Sequence, residues 1–386
     1  MGLTLSQVLL VGDEMHVYLK NRLNKILQTI CSILVCLPLL TFNVQPTQAE
    51  VANNANNQIG VAIPSVLDVG FNFSCVLESG RVKCWGANDR GQLGNGSRVA
   101  TLSPVYVSGI TDAVSVVAGY NHACALLSDG KVKCWGHNGP GKISSNNWYG
   151  NFSSPVFVDV SNVVAISAGA EHTCALLSDG TVKCWGYNGQ GQLGNGTFNN
   201  SATPVLAGVS NVVAISSGYY YSCALLSDGT VKCWGDNWAG QVGNGLIGNG
   251  NLGGIPSPVL VGISSVVAIS AGNQQTCALL SDGKVKCWGH NGQGQLGNGT
   301  SNNSATPVLV DISNVVAISA GAGHTCALLS DGMVKCWGSN YYGKLGSNNH
   351  GWSIYPFPLS TDISNVVAIA AGEQHTCALL SDGFLS

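Results

Sequence analysis

Cysteines recur in this chain at regular spacing, and regularly spaced cysteines cross-link, bind metal or carry redox chemistry. In Cys124-Ala-Leu-Leu-Ser-Asp-Gly-Lys-Val-Lys-Cys134 the apolar flanks read as two short strands. A three-residue turn, Ser128-Asp129-Gly130, sets Cys124 opposite Cys134, with Gly130 as the left-handed residue such a turn needs. The copy from Cys75 to Cys84 is one residue shorter, and a two-residue Ser79-Gly80 turn keeps the same register. Directly opposed residues on a non-hydrogen-bonded rung bring their Cβ atoms to about 4.5–5.5 Å, near disulfide range. The spacing therefore predicts six cross-strand disulfides: Cys75–Cys84, Cys124–Cys134, Cys174–Cys184, Cys223–Cys233, Cys277–Cys287 and Cys326–Cys336. The competing reading is free thiols serving as small core residues. Zinc is disfavoured, because no pair has the spacing of a metal knuckle.

Other residues that could do chemistry fare worse. His122, His172, His324 and His375 share one repeat position, two before a cysteine, where other copies place Phe73, Tyr221 and Gln275. A metal or anion ring there would be incomplete, and the substitutions suit packing or hydrogen bonding. Gly189-Gln-Gly191-Gln-Leu-Gly194 and Gly292-Gln-Gly294-Gln-Leu-Gly297 spell a dinucleotide fingerprint, but no helix follows to receive a pyrophosphate. A Ser-His-Asp nucleophile needs one distinct site, which near-identical repeats do not offer. No catalytic residue, cofactor or metal is expected.

The elements that hold these residues come from the repeat itself. Cys-Ala-Leu-Leu-Ser-Asp-Gly begins at Cys124, Cys174, Cys223, Cys277, Cys326 and Cys377, with a variant at Cys75, at intervals of 49 to 54 residues. Six copies continue into Val-Lys-Cys-Trp-Gly, and four of those into a Gly-Gln-Leu-Gly-Asn-Gly type of turn. That turn is degenerate at Gly141-Lys142-Ile143 and Gly343-Lys344-Leu345. The sixth unit reads as four strands, Pro307–Val310, Val315–Ala320, Thr325–Ser330 and Val334–Trp337, with no room for a helix. Four strands in about fifty residues, repeated seven times, predict an all-β, seven-bladed β-propeller over residues 61–386. The last blade is expected to be incomplete, because the chain stops at Phe384-Leu385-Ser386 where its third strand is due. The first unit shows no clear Pro-Val strand, and Ile59–Ile63 could close the ring by pairing into the last blade.

At these residues a family is recognisable. Units of the form Gly-x-x-His-Thr-Cys-Ala-Leu-Leu-Ser-Asp-Gly-x-Val-Lys-Cys-Trp-Gly-x-Asn-x-x-Gly-Gln-Leu-Gly resemble the regulator of chromosome condensation repeat, over roughly residues 60–386. The resemblance implies a seven-bladed propeller. The eukaryotic namesake is a chromatin-bound exchange factor for a nuclear GTPase. Bacterial relatives are often exported, and one resembling group inhibits β-lactamases. Exchange-factor residues do not map onto units so nearly identical to one another.

The N-terminus supplies an address. Lys20, Arg22 and Lys25 precede the apolar run from Ile30 to Leu40, and Gln48-Ala49 ends a cleavage-site pattern. Residues 1–49 read as a secretory signal peptide, with 1–14 a spurious extension before Met15, and residues 50–60 as a linker. An uncleaved anchor is the competing reading, and the run is short for a membrane span. Only 9% of the 386 residues are charged and the net charge is −3, so no basic stripe is present to bind nucleic acid. With 45% hydrophobic residues the chain can bury a core.

A binding face must break the symmetry of the repeat. The irregular loops carry Trp148, Tyr149, Tyr219, Tyr220, Trp238, Tyr341, Tyr342 and Trp352, and aromatics are enriched among interface anchors. The expectation is a monomeric, secreted, non-enzymatic module for an unknown protein or cell-surface ligand. By family analogy the alternative is a guanine-nucleotide exchange factor for a small GTPase.

Overall fold

The computed structural model describes residues 65–143, 149–248, 253–347 and 353–385. The leader, the linker, Ile59–Ile63, Trp148 and Trp352 lie outside the described residues. Among those described, no helix is long and apolar enough to cross a membrane.

Six antiparallel four-stranded sheets and a two-stranded seventh follow one another along the chain. The first comprises Leu67–Val69, Phe73–Glu78, Arg81–Gly86 and Thr101–Tyr106, and the seventh Val366–Ala371 and Thr376–Leu380. Each sheet pairs its strands in chain order, so every blade is a meander. First strands of neighbouring blades touch all the way round, including Leu67–Val69 against Val366–Ala371. They surround the axis, and the ring is closed. Across that closure the Ser74 hydroxyl lies 2.9 Å from His375 Nε2.

The blades begin later in the repeat than the sequence suggests. The Pro-Val segment is the outer strand of the preceding blade: Ser304–Leu309 pairs with Val285–Gly289, whereas Val315–Ala320 opens the sixth blade. The first blade accordingly has its Pro104-Val105 strand, and the seventh comprises its two inner strands among the described residues. After Thr376–Leu380 the chain turns back through a single antiparallel bridge between Leu379 and Leu385.

Local sequence sets the hairpins. Ser79 and Gly80 have φ of 49° and 79°, both positive as a two-residue hairpin turn requires, and Gly130 has φ of 75° in its three-residue turn. Cys75 therefore faces Cys84, and Cys124 faces Cys134. All six predicted pairs are bonded, with S–S distances of 2.05 to 2.11 Å and Cα separations of 4.0 to 4.1 Å.

The core lies between blades. Trp135, from the second blade, is buried among Val82, Leu93 and Val107 of the first, and the same arrangement recurs round the ring. Trp135, Trp185, Trp234, Trp288 and Trp337 each donate Nε1–H, at 2.8 to 3.0 Å, to the carbonyl of the Gln or Lys in the preceding blade's turn. Trp85 follows the shortened seventh blade, and its buried Nε1–H has no acceptor among the described residues.

The Ser or Thr before each blade cysteine adds a second belt. Ser222, Thr276 and Thr325 donate their hydroxyls to the turn carbonyls that also take the tryptophan N–H groups. The seventh blade's Thr376 donates to the Lys344 carbonyl in the same way. A hydroxyl donating to a carbonyl can only accept from the histidine one blade back. His172 Nε2 lies 2.8 Å from Ser222 and His324 Nε2 2.8 Å from Thr376, so each imidazole carries its proton on Nε2. The belt varies at three units: Tyr221 bonds Thr276 and the Gln275 carbonyl, Gln275 donates to the carbonyls of Gly321 and His324, and Phe73 stands where a histidine would while the next blade offers Ala123 in place of a hydroxyl.

Candidate functional site

Strand direction divides the loops between two faces. Connections from first to second strands, and from third to fourth, emerge on one face; the Ser-Asp-Gly turns emerge on the other. The first face carries most of the variation among units.

The seven first-to-second-strand loops form a collar round the mouth of the axis. Phe71 N–H donates to the Tyr120 carbonyl at 3.2 Å, and the N–H groups of Ala170, Tyr219, Asn273 and Ala322 donate likewise to the next loop round. The residue after each loop glycine is Phe71, Tyr120, Ala170, Tyr219, Asn273, Ala322 or Glu373. Phe71 stacks on Tyr120 at 4.3 Å between ring centroids, and Tyr120 meets Tyr219 edge-on at 5.7 Å. Tyr219 contacts Tyr220 at 4.5 Å, and Tyr220 reaches Tyr187 at 5.5 Å. Five aromatic rings from four blades thus touch in sequence. Tyr120 meets Tyr219 across the third blade, which places Ala170 at the position after the loop glycine.

Two acidic side chains belong to the collar, each with a lysine beneath it. Lys142 is fully buried, with Nζ 2.5 Å from the Glu171 carboxylate and 3.1 Å from the Ala170 carbonyl. Burial pushes Lys142 down and Glu171 up, and their mutual attraction opposes both shifts. Lys344 donates instead to the carbonyls of Ala322 and Glu373, at 2.6 and 3.2 Å. Burial holds Glu373 up at about 7 against the pull of Lys344, and lowers Lys344 to about 8. Tyr219 is pushed up to about 12, first by burial and then by Tyr220, Glu373 and Glu171.

Of the aromatics singled out from sequence, Tyr219 and Tyr220 join this cluster. Tyr149, Trp238 and Tyr342 stand on third-to-fourth-strand loops of the same face, with 78%, 54% and 69% of their surfaces exposed. Tyr341 and Tyr342 open a 3-10 turn, Tyr341–Gly343, where the sixth unit's pattern read as strands and turns only. Phe71, Tyr120, Tyr187, Lys142 and Glu373 were missed. Three of them could have been found by aligning the units and reading the position after the Gly of Gly-x-x-His.

The histidines offer no chemistry. His122 and His172 bond a hydroxyl of the next blade through Nε2, and their Nδ1 atoms are buried without a partner. Burial drives His172 and His324 down to about 3, so both are neutral. Among the described residues no group of three or more His, Cys, Asp or Glu could hold a metal ion. The fingerprint-like Gly191-Gln-Leu-Gly194 forms a turn packed against Pro256 and Trp234. The repeated lysines lie along the rim: Lys133 Nζ sits 4.7 Å over the Phe157 ring and Lys83 pairs with Glu78 at 2.6 Å.

Comparison with known proteins places this architecture. The RCC1-like domain matches residues 40–326, and the regulator of chromosome condensation (RCC1) repeat matches residues 315–344 and again 331–379. No curated protein matches the sequence. Among solved structures, Prp20p from Saccharomyces cerevisiae, described with its binding to Gsp1p and histones, is 23% identical with a TM-score of 0.73, covering 81% of each chain. Human WBSCR16 is also 23% identical, with a TM-score of 0.72 over 83% of this chain and 88% of that one. At such identity the two structures share the fold. Repeat, blade and family match agree, and the chain belongs to the RCC1-like domain family.

Proposed function

We propose that residues 61–386 are an exported, non-enzymatic binding module that recognises a protein or cell-surface ligand through the collar face. Residues 1–49 act as its signal peptide and residues 50–60 as a linker. The observation that carries this reading is the run of five touching aromatic rings on loops that break the repeat. Large rigid rings give contact area at low entropic cost and dominate interface energetics. The hydrogen-bonded collar holds them in place before a partner arrives, which reduces the ordering cost of binding. Six disulfides fit an oxidising compartment. The module works as a monomer, without cofactor or nucleic acid.

The test is the intact mass of the natively produced protein, before and after reduction and alkylation. A chain starting at Glu50 with six disulfides is expected. A full-length chain with free thiols would overturn export and make nucleotide exchange on a small GTPase the activity to assay. Capture of a partner from the producing cell's surroundings should then be lost on Tyr219→Ala with Tyr220→Ala.

A further inference from the structure

The collar combines electron-rich rings with a carboxylate that no donor satisfies. Glu373 occupies the same loop position as Phe71, Tyr120 and Tyr219, and lies next to Phe71 round the ring. Its neighbour Lys344 directs two of its three ammonium hydrogens to the backbone carbonyls of Ala322 and Glu373. Among the described residues the Glu373 carboxylate accepts no hydrogen bond, although it is half-buried. Glu171, the other collar carboxylate, already holds Lys142. A half-buried carboxylate without a protein donor is partly desolvated, and a cation brought by a ligand offsets that cost. Tyrosine faces attract the same kind of group. Ala170 and Ala322 alternate with the larger collar residues.

Resting on the proposed binding role, we infer that the collar seats one organic cation, the ammonium or guanidinium of a Lys or Arg side chain projecting from a protein partner, against Glu373 and the rings of Phe71, Tyr120 and Tyr219. Burial raises Tyr120 and Tyr219 first, and the field of Glu373 raises both further. A neutral sugar would use the rings and leave the carboxylate's charge unanswered.

The probe is Nα-acetyl-lysine methyl ester, with Nα-acetyl-norleucine methyl ester as its uncharged counterpart, titrated into the whole exported chain and followed by tyrosine ring NMR signals. The lysine ester should saturate the Tyr120 and Tyr219 signals and the norleucine ester should not. Glu373→Gln, which keeps shape and removes charge, should weaken the lysine ester about tenfold without lowering the melting temperature. Tyr120→Ala should weaken it similarly. Equal binding of the two esters, an unaltered affinity in Glu373→Gln, or saturation of the same signals by cellotriose instead would each overturn the cation site. If Tyr219→Ala with Tyr220→Ala still abolishes partner capture in that event, the binding face stands and only its ligand class is wrong. If capture is unaffected, the broader role falls as well.

Discussion

The two faces of the propeller are built from the same number of turns and differ in what their sequences are free to do. On the Ser-Asp-Gly face the units after the first meet nearly the same backbone demand. Asn162, Asn211, Ser265, Asn314 and Asn365 all sit at φ between 57° and 60°. Asp129, Asp179, Asp228, Asp282, Asp331 and Asp382 each accept from the backbone N–H two residues on. Asn and Asp are the residues that tolerate or stabilise such turns, so the face repeats because its geometry repeats. On the collar face the loop backbone is satisfied by the next loop round, whatever side chain stands there. That leaves the side chains available for recognition. Repetition marks the positions that hold the ring together, and departures from it mark the candidate site.

The sharpest way to break this contrast is to exchange the expected costs of the two classes of residue. Trp234 is fully buried and bonds the Gln192 carbonyl. Trp234→Ala should lose about 3–5 kcal/mol in denaturant unfolding. Tyr219→Ala, on the variable collar, should lose under about 1 kcal/mol while eliminating partner binding. A collar substitution as damaging to stability as the tryptophan would remove the distinction.

Next in size is a cross-link. Cys174 and Cys184 close a short hairpin inside the third blade. Replacing both by Ala should cost about 2–4 kcal/mol, read from the shift in denaturation midpoint. Reduction of all six disulfides should act in the same direction and further. Unchanged stability in the double variant would mean that packing alone fixes the register.

Acid should weaken the ring through its histidines. Burial lowers His172 and His324 to about 3 and His375 to about 4, and takes His122 well below its ordinary value. An unfolded chain takes up these protons near pH 6.5 and the folded chain does not. Their contribution to stability is therefore complete above pH 6.5 and is lost as pH falls toward 3–4. Asp68 and Glu373 oppose this, because burial raises them to about 6 and 7 and the folded state then protonates first. Four histidines outweigh two carboxyls, so melting temperature should fall between pH 7 and 5. His172→Gln should flatten the slope by about 1.4 kcal/mol per pH unit, the effect of one proton. Gln275 already occupies this position in the fifth blade and donates to the carbonyls of Gly321 and His324, so the replacement has a precedent in the ring.

Much of this was legible in the sequence, for a physical reason: hairpin register depends on turn length and turn residues only. Counting from Cys124 to Cys134 was enough to place the sulfurs opposite each other. The start of a blade was not legible, because a repeat has no intrinsic beginning. Pro307-Val308 could pair forward or back, and pairing with Lys286 and Cys287 decided it. Lys142 and Lys344 read as decay of the Gly-Gln-Leu-Gly turn. Their role appears only once folding brings Glu171 and Glu373 from the following blade beside them, about thirty residues further along the chain. Phe71 and Tyr120 were hidden by regularity, since each lies inside a motif that looked purely structural.

The smallest expected effect tests whether the belt is a set of matched pairs or a tolerance for assorted residues. Phe73 and Ala123 belong to one buried cluster, at the single place where this repeat position carries no polar side chain and the next blade no hydroxyl. Phe73→His alone would bury an Nε2–H facing a methyl group, leaving a donor unsatisfied at a cost of about 1–3 kcal/mol. Ala123→Thr alone would place a hydroxyl beside the Gln92 carbonyl, which already accepts Trp135 at 2.9 Å, so the new donor has its acceptor. Its cost would come from crowding against Phe73, in a core where added volume is felt. Together the two substitutions recreate the geometry of His172 with Ser222. A double-mutant cycle should then return a favourable coupling of about 1 kcal/mol, which neither substitution can supply by itself. Strict additivity would mean that the histidines are merely compatible with their neighbours, and that the repeated His-Thr sequence reflects the unit's ancestry rather than a bond between blades.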